Sequence, residues 1–282
     1  LNNPKLNAER ANVRAVNEDK KEAYSAFIPS ITISGYVSEQ DNTKGDESNF
    51  EPSEQSLLVE QKIFQGFSGV AKLKKKKYEY KIARFNLKKI EQEILLAAAE
   101  AHADLLLSQK KININVINFD LLDRQVETDK DRLEQGEINL TDLAQSEASL
   151  AGAKAKLIAA QNELITSKVN FEKIIGKKPT NNVPKIQLTN MWLPKSLAEA
   201  YRISKDENPN LKIALLELEK SKQDVLIAGS ELAPSATLSY KIAEQDDFSS
   251  TIQERTQQTF KATATWPLFS GGRNYFNLRE AQ

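Results

Sequence analysis

Few residues in this chain are equipped for chemistry. Its 282 residues include one histidine, His102, and no cysteine. His102 lies in the Ala- and Leu-rich stretch 97–107 with no second histidine beside it. A metal shell or an acid–base pair has nothing to assemble around it. The lack of cysteine excludes disulfides, thiolate metal sites and cysteine nucleophiles. No Gly-rich phosphate loop or other catalytic motif is present, so no catalytic, cofactor-binding or metal-ligating residue is expected, and the chain does not read as an enzyme. Two local clusters stand out instead. One is the segment Arg132-Leu-Glu-Gln-Gly136-Glu137-Ile-Asn139-Leu-Thr141-Asp142. There Asn139 or Thr141 can cap a helix, and Asp142 complements the positive end of its dipole. The other is the run of lysines at Lys72, Lys74, Lys75, Lys76 and Lys77. Read alone, it is a solvated helix start.

The elements that must position these residues follow from periodicity. Residues 3–27 read as a helix opened by Asn3-Pro4 and closed before Pro29. Residues 30–38 alternate, with Ile31, Ile33 and Val37 on one face and Thr32, Ser34 and Ser38 on the other. Residues 56–64 alternate again, with Leu57, Val59 and Ile63 against Ser56, Glu60 and Lys62. The polar stretch 39–53 between them reads as a loop. Gly66 and Gly69 mark the change to helix, and no Pro or Gly follows until Gly136. Within 69–134, Leu105, Ile112, Phe119, Val126 and Leu133 recur every seventh residue. After Gly136, Leu143, Leu150, Leu157, Leu164 and Phe171 do the same, with Ser146, Ala153, Ala160 and Ser167 three positions behind the first four. That is a heptad seam of large and small residues, and it predicts an antiparallel hairpin of helices 69–134 and 140–175. Ala and Ile at 144, 148, 151, 155 and 158 widen the apolar arc beyond one neighbour.

The pattern is then repeated. Asn3-Pro4-Lys5-Leu6 returns as Asn208-Pro209-Asn210-Leu211, Pro29-Ser30 as Pro234-Ser235, and Phe64-Gln65-Gly66 as Phe269-Ser270-Gly271. The subtractions 208 − 3, 234 − 29 and 269 − 64 all give 205. This predicts a first repeat over 1–176, a linker over 177–194, and a second repeat over 195–282. The second repeat is read as a helix 197–231, strands at about 235–243 and 259–269, a polar loop 244–258, and the first turns of another hairpin. The rest of that hairpin, and the counterpart of 196–201 ahead of Leu1, are expected outside this sequence. Gly66, Gly271 and Gly272 are expected to make the strand-to-helix turns.

Formal charge is zero, with Lys plus Arg and Asp plus Glu both at 39, which gives no bias towards nucleic acid. No run approaches the roughly 18 apolar residues of a membrane helix. Strands of about nine residues with one apolar and one polar face suit a transmembrane barrel wall. Four strands are too few to close a barrel, whose bacterial examples begin at about eight, so other chains must complete it.

These motifs, in this order and spacing, resemble the outer-membrane factor family, the TolC-like efflux and secretion ducts. The resemblance rests on the two Asn-Pro-x-Leu openings, the two Pro-Ser-(Ile/Ala)-Thr strand starts, the strand ends Ile-Phe-x-Gly and Pro-Leu-Phe-x-Gly-Gly, and the tip segment 132–144. It implies an α+β membrane protein. The implied homotrimer has a twelve-stranded outer-membrane barrel, four strands per chain, continued by a periplasmic α-helical barrel. It implies passive export of drugs, small molecules or polypeptides across a Gram-negative outer membrane, with no cofactor. The implied partners are a periplasmic adaptor (membrane fusion protein), an inner-membrane transporter and outer-membrane lipid. Thr141 and Asp142 match the family's periplasmic gate, where a carboxylate ring favours cations. Arg132, Gly136, Glu137 and Asn139 fall on the tip surface where an adaptor docks. The lysines at 72 and 74–77 fall beside the inner-leaflet headgroups. Trp266, Tyr36 and Tyr240 are candidates for interfacial girdles, with Trp266 alone on the lipid face near a strand end. The competing reading is a periplasmic coiled-coil adaptor or scaffold protein, which would carry one hairpin flanked by compact β modules rather than a duplicated strand–strand–helix unit.

Overall fold

The computed structural model describes residues 3–41, 49–180, 193–249 and 252–282. Most of the expected linker (181–192) and the centres of both polar loops (42–48, 250–251) lie outside the described residues. The described elements are helices α1 (Pro4–Glu22), α2 (Ser68–Glu134), α3 (Leu140–Ile175), α4 (Leu197–Glu207), α5 (Pro209–Ser230) and α6 (Arg273–Ala281). A 3-10 turn covers Ala23–Phe27. The strands are β1 (Ser30–Val37), β2 (Gln40–Asp41), β3 (Asn49–Phe50), β4 (Ser53–Gln65), β5 (Ser235–Ser249) and β6 (Ile252–Thr265). Element starts keep the sequence offset: Pro4 and Pro209, Ser30 and Ser235, Ser68 and Arg273 are paired by it. No described helix is long and apolar enough to cross a membrane.

Two compact units divide the chain, one of residues 1–10 and 87–206, the other of residues 11–86 and 207–282. This division cuts across the repeats expected at 1–176 and 195–282. The reason is the sheet. β1, β4, β5 and β6 pair in that order, all antiparallel, so the strand pair of the first repeat and that of the second form one four-stranded layer.

The first unit is built on the heptads. Ala101, Leu105, Ser108, Val126 and Asp129 of α2 and Leu143, Ala153 and Ala160 of α3 are its buried seam. Leu105 is fully enclosed. Full burial of a Leu side chain contributes about 1.5–3 kcal/mol. The opposite arc is bare: Ile114, Ile117, Ile158, Ile165 and Val169 are exposed, as are Ala144, Ala148, Ala151 and Ala155.

In the second unit the helix roots are tied by charge. Lys75 pairs with Asp224 at 2.6 Å, Lys76 with Glu79 at 2.9 Å and more distantly with Asp19, and the Lys20 ammonium sits 4.2 Å from the Tyr80 ring centre. The hydrogen bond that Lys76 donates to Glu79, helped by the charges of Glu79, Asp19 and Glu22, holds the Lys76 pKa above its ordinary value.

Several boundaries differ from the sequence reading. The helix expected over 197–231 is two helices, because Pro209 cannot continue a preceding helix and Asn208 turns extended (φ −69°, ψ 115°) to cap the next one. The helix expected over 3–27 tightens into the 3-10 turn after Glu22. The strands expected to stop at 243 and to start at 56 and 259 are longer, while the last ends at Thr265 rather than 269. Polar segments such as Gln245-Asp246 and Glu254-Arg255 lack an apolar alternation, yet each finds a ladder partner on the adjacent strand. Backbone pairing, not side-chain pattern, sets where these strands stop.

Candidate functional site

Strand registers decide which side chains share a face of the sheet. Ile31 lies opposite Val59, and Val59 opposite Tyr240, which lies opposite Phe260. Ile33, Leu57 and Ile242 form the next row, and Gln61, Leu238 and Ala262 the row on the other side. This face is apolar and uncovered: Ile33 is 82% and Val37 80% exposed. Phe260, also exposed, belongs to it and went unread in the sequence, although its alternation with Lys261 was available. A soluble sandwich would bury such a face against a second layer.

The other face is polar. Its rows are Ser34, Ser56, Ala243 and Gln257, then Tyr36, Glu54, Gln245 and Arg255. The Ser34 and Ser56 hydroxyls meet at 3.0 Å. Lys241 donates to Glu54 at 2.5 Å, and the Gln245 amide donates to the other carboxylate oxygen at 2.8 Å. This clasp joins β4 to β5, and thus the two repeats. Ala243, only 4% exposed, lies beneath it. The best enclosed side chains of the sheet are therefore on its polar side, an inversion suited to lipid outside and water inside. Tyr36 is on the polar face and Tyr240 on the apolar one. Trp266 follows the last strand residue and donates from its indole to the Leu232 carbonyl at 3.1 Å.

At the foot of the sheet a glycine is required. Gly66 has φ 57°, and an added Cβ would sit 2.6 Å from the Ala233 methyl and 2.7 Å from the Ser230 carbonyl oxygen. Phe67 beside it also takes a positive φ of 66°, and its ring stands edge-on to Phe64 at 5.2 Å. The second copy makes the same turn with Gly271 and Gly272 (φ 64° and 83°).

The five lysines fall into two groups. Lys72, Lys75 and Lys76 line a cavity of about 660 Å³ together with the polar-face residues Ser30, Glu60 and Lys62. Lys74 and Lys77 are exposed, do not line it and hold no ion pair among the described residues. His102 is half-buried with its ring 6.3 Å from Phe171.

The hairpin tip is a capped turn. Gly136 takes φ 75°, Gly136 N–H donates to Leu133 O at 3.0 Å, and Glu137 N–H donates to Arg132 O at 2.9 Å. Arg132 reaches across the turn to Glu137 at 3.1 Å. Asn139 and Asp142 form a reciprocal capping box: Asp142 N–H donates to the Asn139 side chain at 2.9 Å, and Asn139 N–H to the Asp142 carboxylate at 3.2 Å. Thr141 and Asp142 are side by side on the first turn of α3, both exposed.

Sequence reasoning missed the polar rungs inside the seam. Ser146 donates to Asp129 at 2.5 Å, Gln125 donates to its other oxygen at 2.9 Å, and Ser108 and Ser167 share a hydrogen bond at 2.8 Å. These donors, led by Ser146, hold the Asp129 carboxyl below its ordinary pKa of 3.8. The signal was the second heptad position of α2, where Ser108, Asn115, Leu122 and Asp129 recur every seventh residue.

A sheet bare on its apolar side, with four strands per chain, together with long paired helices, defines the subunit fold of TolC-like outer-membrane channels. The chain belongs to the outer membrane efflux protein family, which it matches over residues 1–177, and that family is one of channels rather than enzymes. It is 25% identical to the outer membrane efflux protein BepC of Brucella suis and 23% identical to the outer membrane protein TolC of Vibrio cholerae, in each case over its entire length. It spans 61% and 65% of those two proteins. The crystal structure of the outer membrane protein VceC from Vibrio cholerae superposes with a TM-score of 0.84 at 19% identity, over 99% of this chain and 68% of that one.

Proposed function

We propose that this protein is the outer-membrane channel of a tripartite efflux pump or a type I secretion system. It serves as a passive conduit for small molecules or polypeptides across the periplasm and outer membrane of a Gram-negative bacterium. The observation that carries this reading is the inverted sheet, whose apolar face is bare and whose polar face is the enclosed one. Four strands need two further copies to close, which supports a homotrimer with lipid against Ile31, Ile33 and Val37. The bare arc of α3, with Ala144, Ala148, Ala151, Ala155 and Ile158, supports contact with neighbouring helices of the same assembly. The constant offset supports a duplicated unit over 1–176 and 195–282.

In this reading the tip, from Arg132 through Gly136 and Glu137 to Asn139, meets a periplasmic adaptor that links the channel to an inner-membrane transporter. Thr141 and Asp142 form the gate, a ring of carboxylates on the first turn of α3. The headgroup role falls to Lys74 and Lys77, since Lys72, Lys75 and Lys76 line the polar-side cavity. The test is reconstitution in planar bilayers with electron microscopy of the same preparation. Discrete conductance steps and three-fold particles are expected. A non-conducting compact monomer overturns the proposal.

A further inference from the structure

The apolar seam of the hairpin does not define its own alignment. On α3 the large positions are Leu143, Leu150, Leu157 and Leu164, and the small ones Ser146, Ala153, Ala160 and Ser167. Sliding α3 by one heptad places leucine where leucine was and a small residue where a small residue was. Hydrophobic packing alone is nearly indifferent to that slip.

Within the seam only the polar rungs distinguish the registers; outside it the Lys111–Glu163 pair at 2.6 Å and the capped turn at the tip favour the same one. Asp129 meets Ser146 and Ser108 meets Ser167. The two rungs are three heptads apart on both helices, since 129 − 108 and 167 − 146 both give 21. Both are centred on one point of the turn, between Glu137 and Ile138. Asn115, the other polar residue of the α2 seam, donates to Lys111 O of its own helix at 2.8 Å and takes no part. In the slipped register that shortens α3, Asp129 faces Ala153 instead. A carboxylate only 6% exposed then keeps Gln125 but loses its short bond across the seam. The charged groups facing Asp129 are few. Arg132 approaches it at 4.0 Å while engaged by Glu137, and the Lys130–Glu147 pair lies outside the seam at 3.9 Å.

The slip has a consequence at the tip. A one-heptad shift between antiparallel helices moves the centre of the turn by about three to four residues along the chain, by unwinding one helix and lengthening the other. In the register that pairs Asp129 with Ala153, that centre falls at Thr141, so Thr141 and Asp142 lie in the turn and not on the first turn of α3. We infer that Asp129 is a positioning residue whose bond to Ser146 selects the hairpin register and thereby holds Thr141 and Asp142 on the helix. A buried polar group that fixes register at some cost in stability is an attested device of coiled coils.

The chain has no cysteine, so the pair Asp120→Cys and Gln145→Cys, at exposed positions of α2 and α3, can carry spin labels. Double electron–electron resonance on labelled protein reconstituted with an excess of unlabelled protein, so that an assembly carries at most one labelled chain, is expected to give one narrow distance. Asp129→Leu is expected to keep or raise the thermal midpoint, because an apolar replacement of a buried ionic group is often neutral or stabilising. It should nevertheless split the distance into two populations offset along the helices by about 10 Å, one heptad of rise. Asp129→Asn retains an acceptor for Ser146 and should keep the single distance, whereas Ser146→Ala should broaden it. A single narrow distance in Asp129→Leu overturns the inference. If that variant does not fold, an unbroadened Ser146→Ala overturns it instead. The effect on the gate rests on the channel reading above and separates from the register itself. Asp129→Leu should raise leak conductance several-fold. A split distance with unchanged conductance keeps the register role and removes Thr141 and Asp142 as a gate.

Discussion

The hairpin and the sheet both carry two-faced patterns, and they resolve them in opposite ways. Along α2 and α3 an apolar stripe is buried within the chain, closing on Leu105, Val126, Leu143 and Ala160, with Asp129 the charged residue buried among them. Across β1, β4, β5 and β6 the apolar face is bare, while Ser56 and Ala243 on the polar face are buried. A side chain's preference is the same in both places, and the medium differs. The hairpin satisfies the apolar residues of its seam against itself, as a chain in water must, and leaves only its second arc, through Ile114, Ile158 and Ile165, bare. In the proposed channel the sheet leaves them for lipid and keeps its hydrogen bonds and the Glu54–Lys241 pair on the water side.

The hardest test of this contrast is the centre of the hairpin. Leu105→Ala should cost about 2–5 kcal/mol, as large-to-small changes in closed cores do, read from chemical denaturation of the helical signal. A loss below about 1 kcal/mol would mean that the seam is not a closed core. Next in size is the sheet. Ile33→Arg should destabilise folding into lipid vesicles by about 2–4 kcal/mol, whereas Thr32→Arg, one residue away on the opposite face, should cost about 1 kcal/mol or less. Equal costs would erase the distinction between the faces. At the tip, Asp142→Ala removes one arm of the capping box and should cost about 0.5–1 kcal/mol. It should also raise leak conductance if the gate assignment holds, and an unchanged conductance confines Asp142 to its cap. The smallest effect concerns pH. Because the folded-state pKa of Asp129 is lowered, its contribution is complete above the ordinary value of 3.8 and is lost as pH falls through the folded value. The thermal midpoint of the parent should therefore fall more steeply with acidification than that of Asp129→Asn. Parallel curves would show that the Ser146 and Gln125 hydrogen bonds carry no linkage.

Much of the fold was legible. The heptads of Leu105 to Leu133 and Leu143 to Phe171 gave both helices of the hairpin and their antiparallel pairing. The alternation around Ile31–Ile33 and Leu238–Ile242 gave the faces of β1 and β5. The tip residues were found as a cluster with the cap left open between Asn139 and Thr141, and the structure gives it to Asn139 in a reciprocal box with Asp142. Phe260 and the outer ends of β5 and β6 were missed because Gln245, Asp246, Glu254 and Arg255 carry no apolar signal. The lysine run read as one patch because four of its members are contiguous. On a helix of about 3.6 residues per turn it divides, so that Lys72, Lys75 and Lys76 share one side and Lys74 and Lys77 do not.

By itself the sequence determined the local periods and the 205-residue offset, because these depend only on residue type and spacing. The tertiary structure alone decided that β4 pairs with β5, which joins the two repeats in one sheet, and that Asp129 meets Ser146 across the seam. Both involve partners distant in the chain, and no local period encodes which distant residue completes a ladder or a buried hydrogen bond.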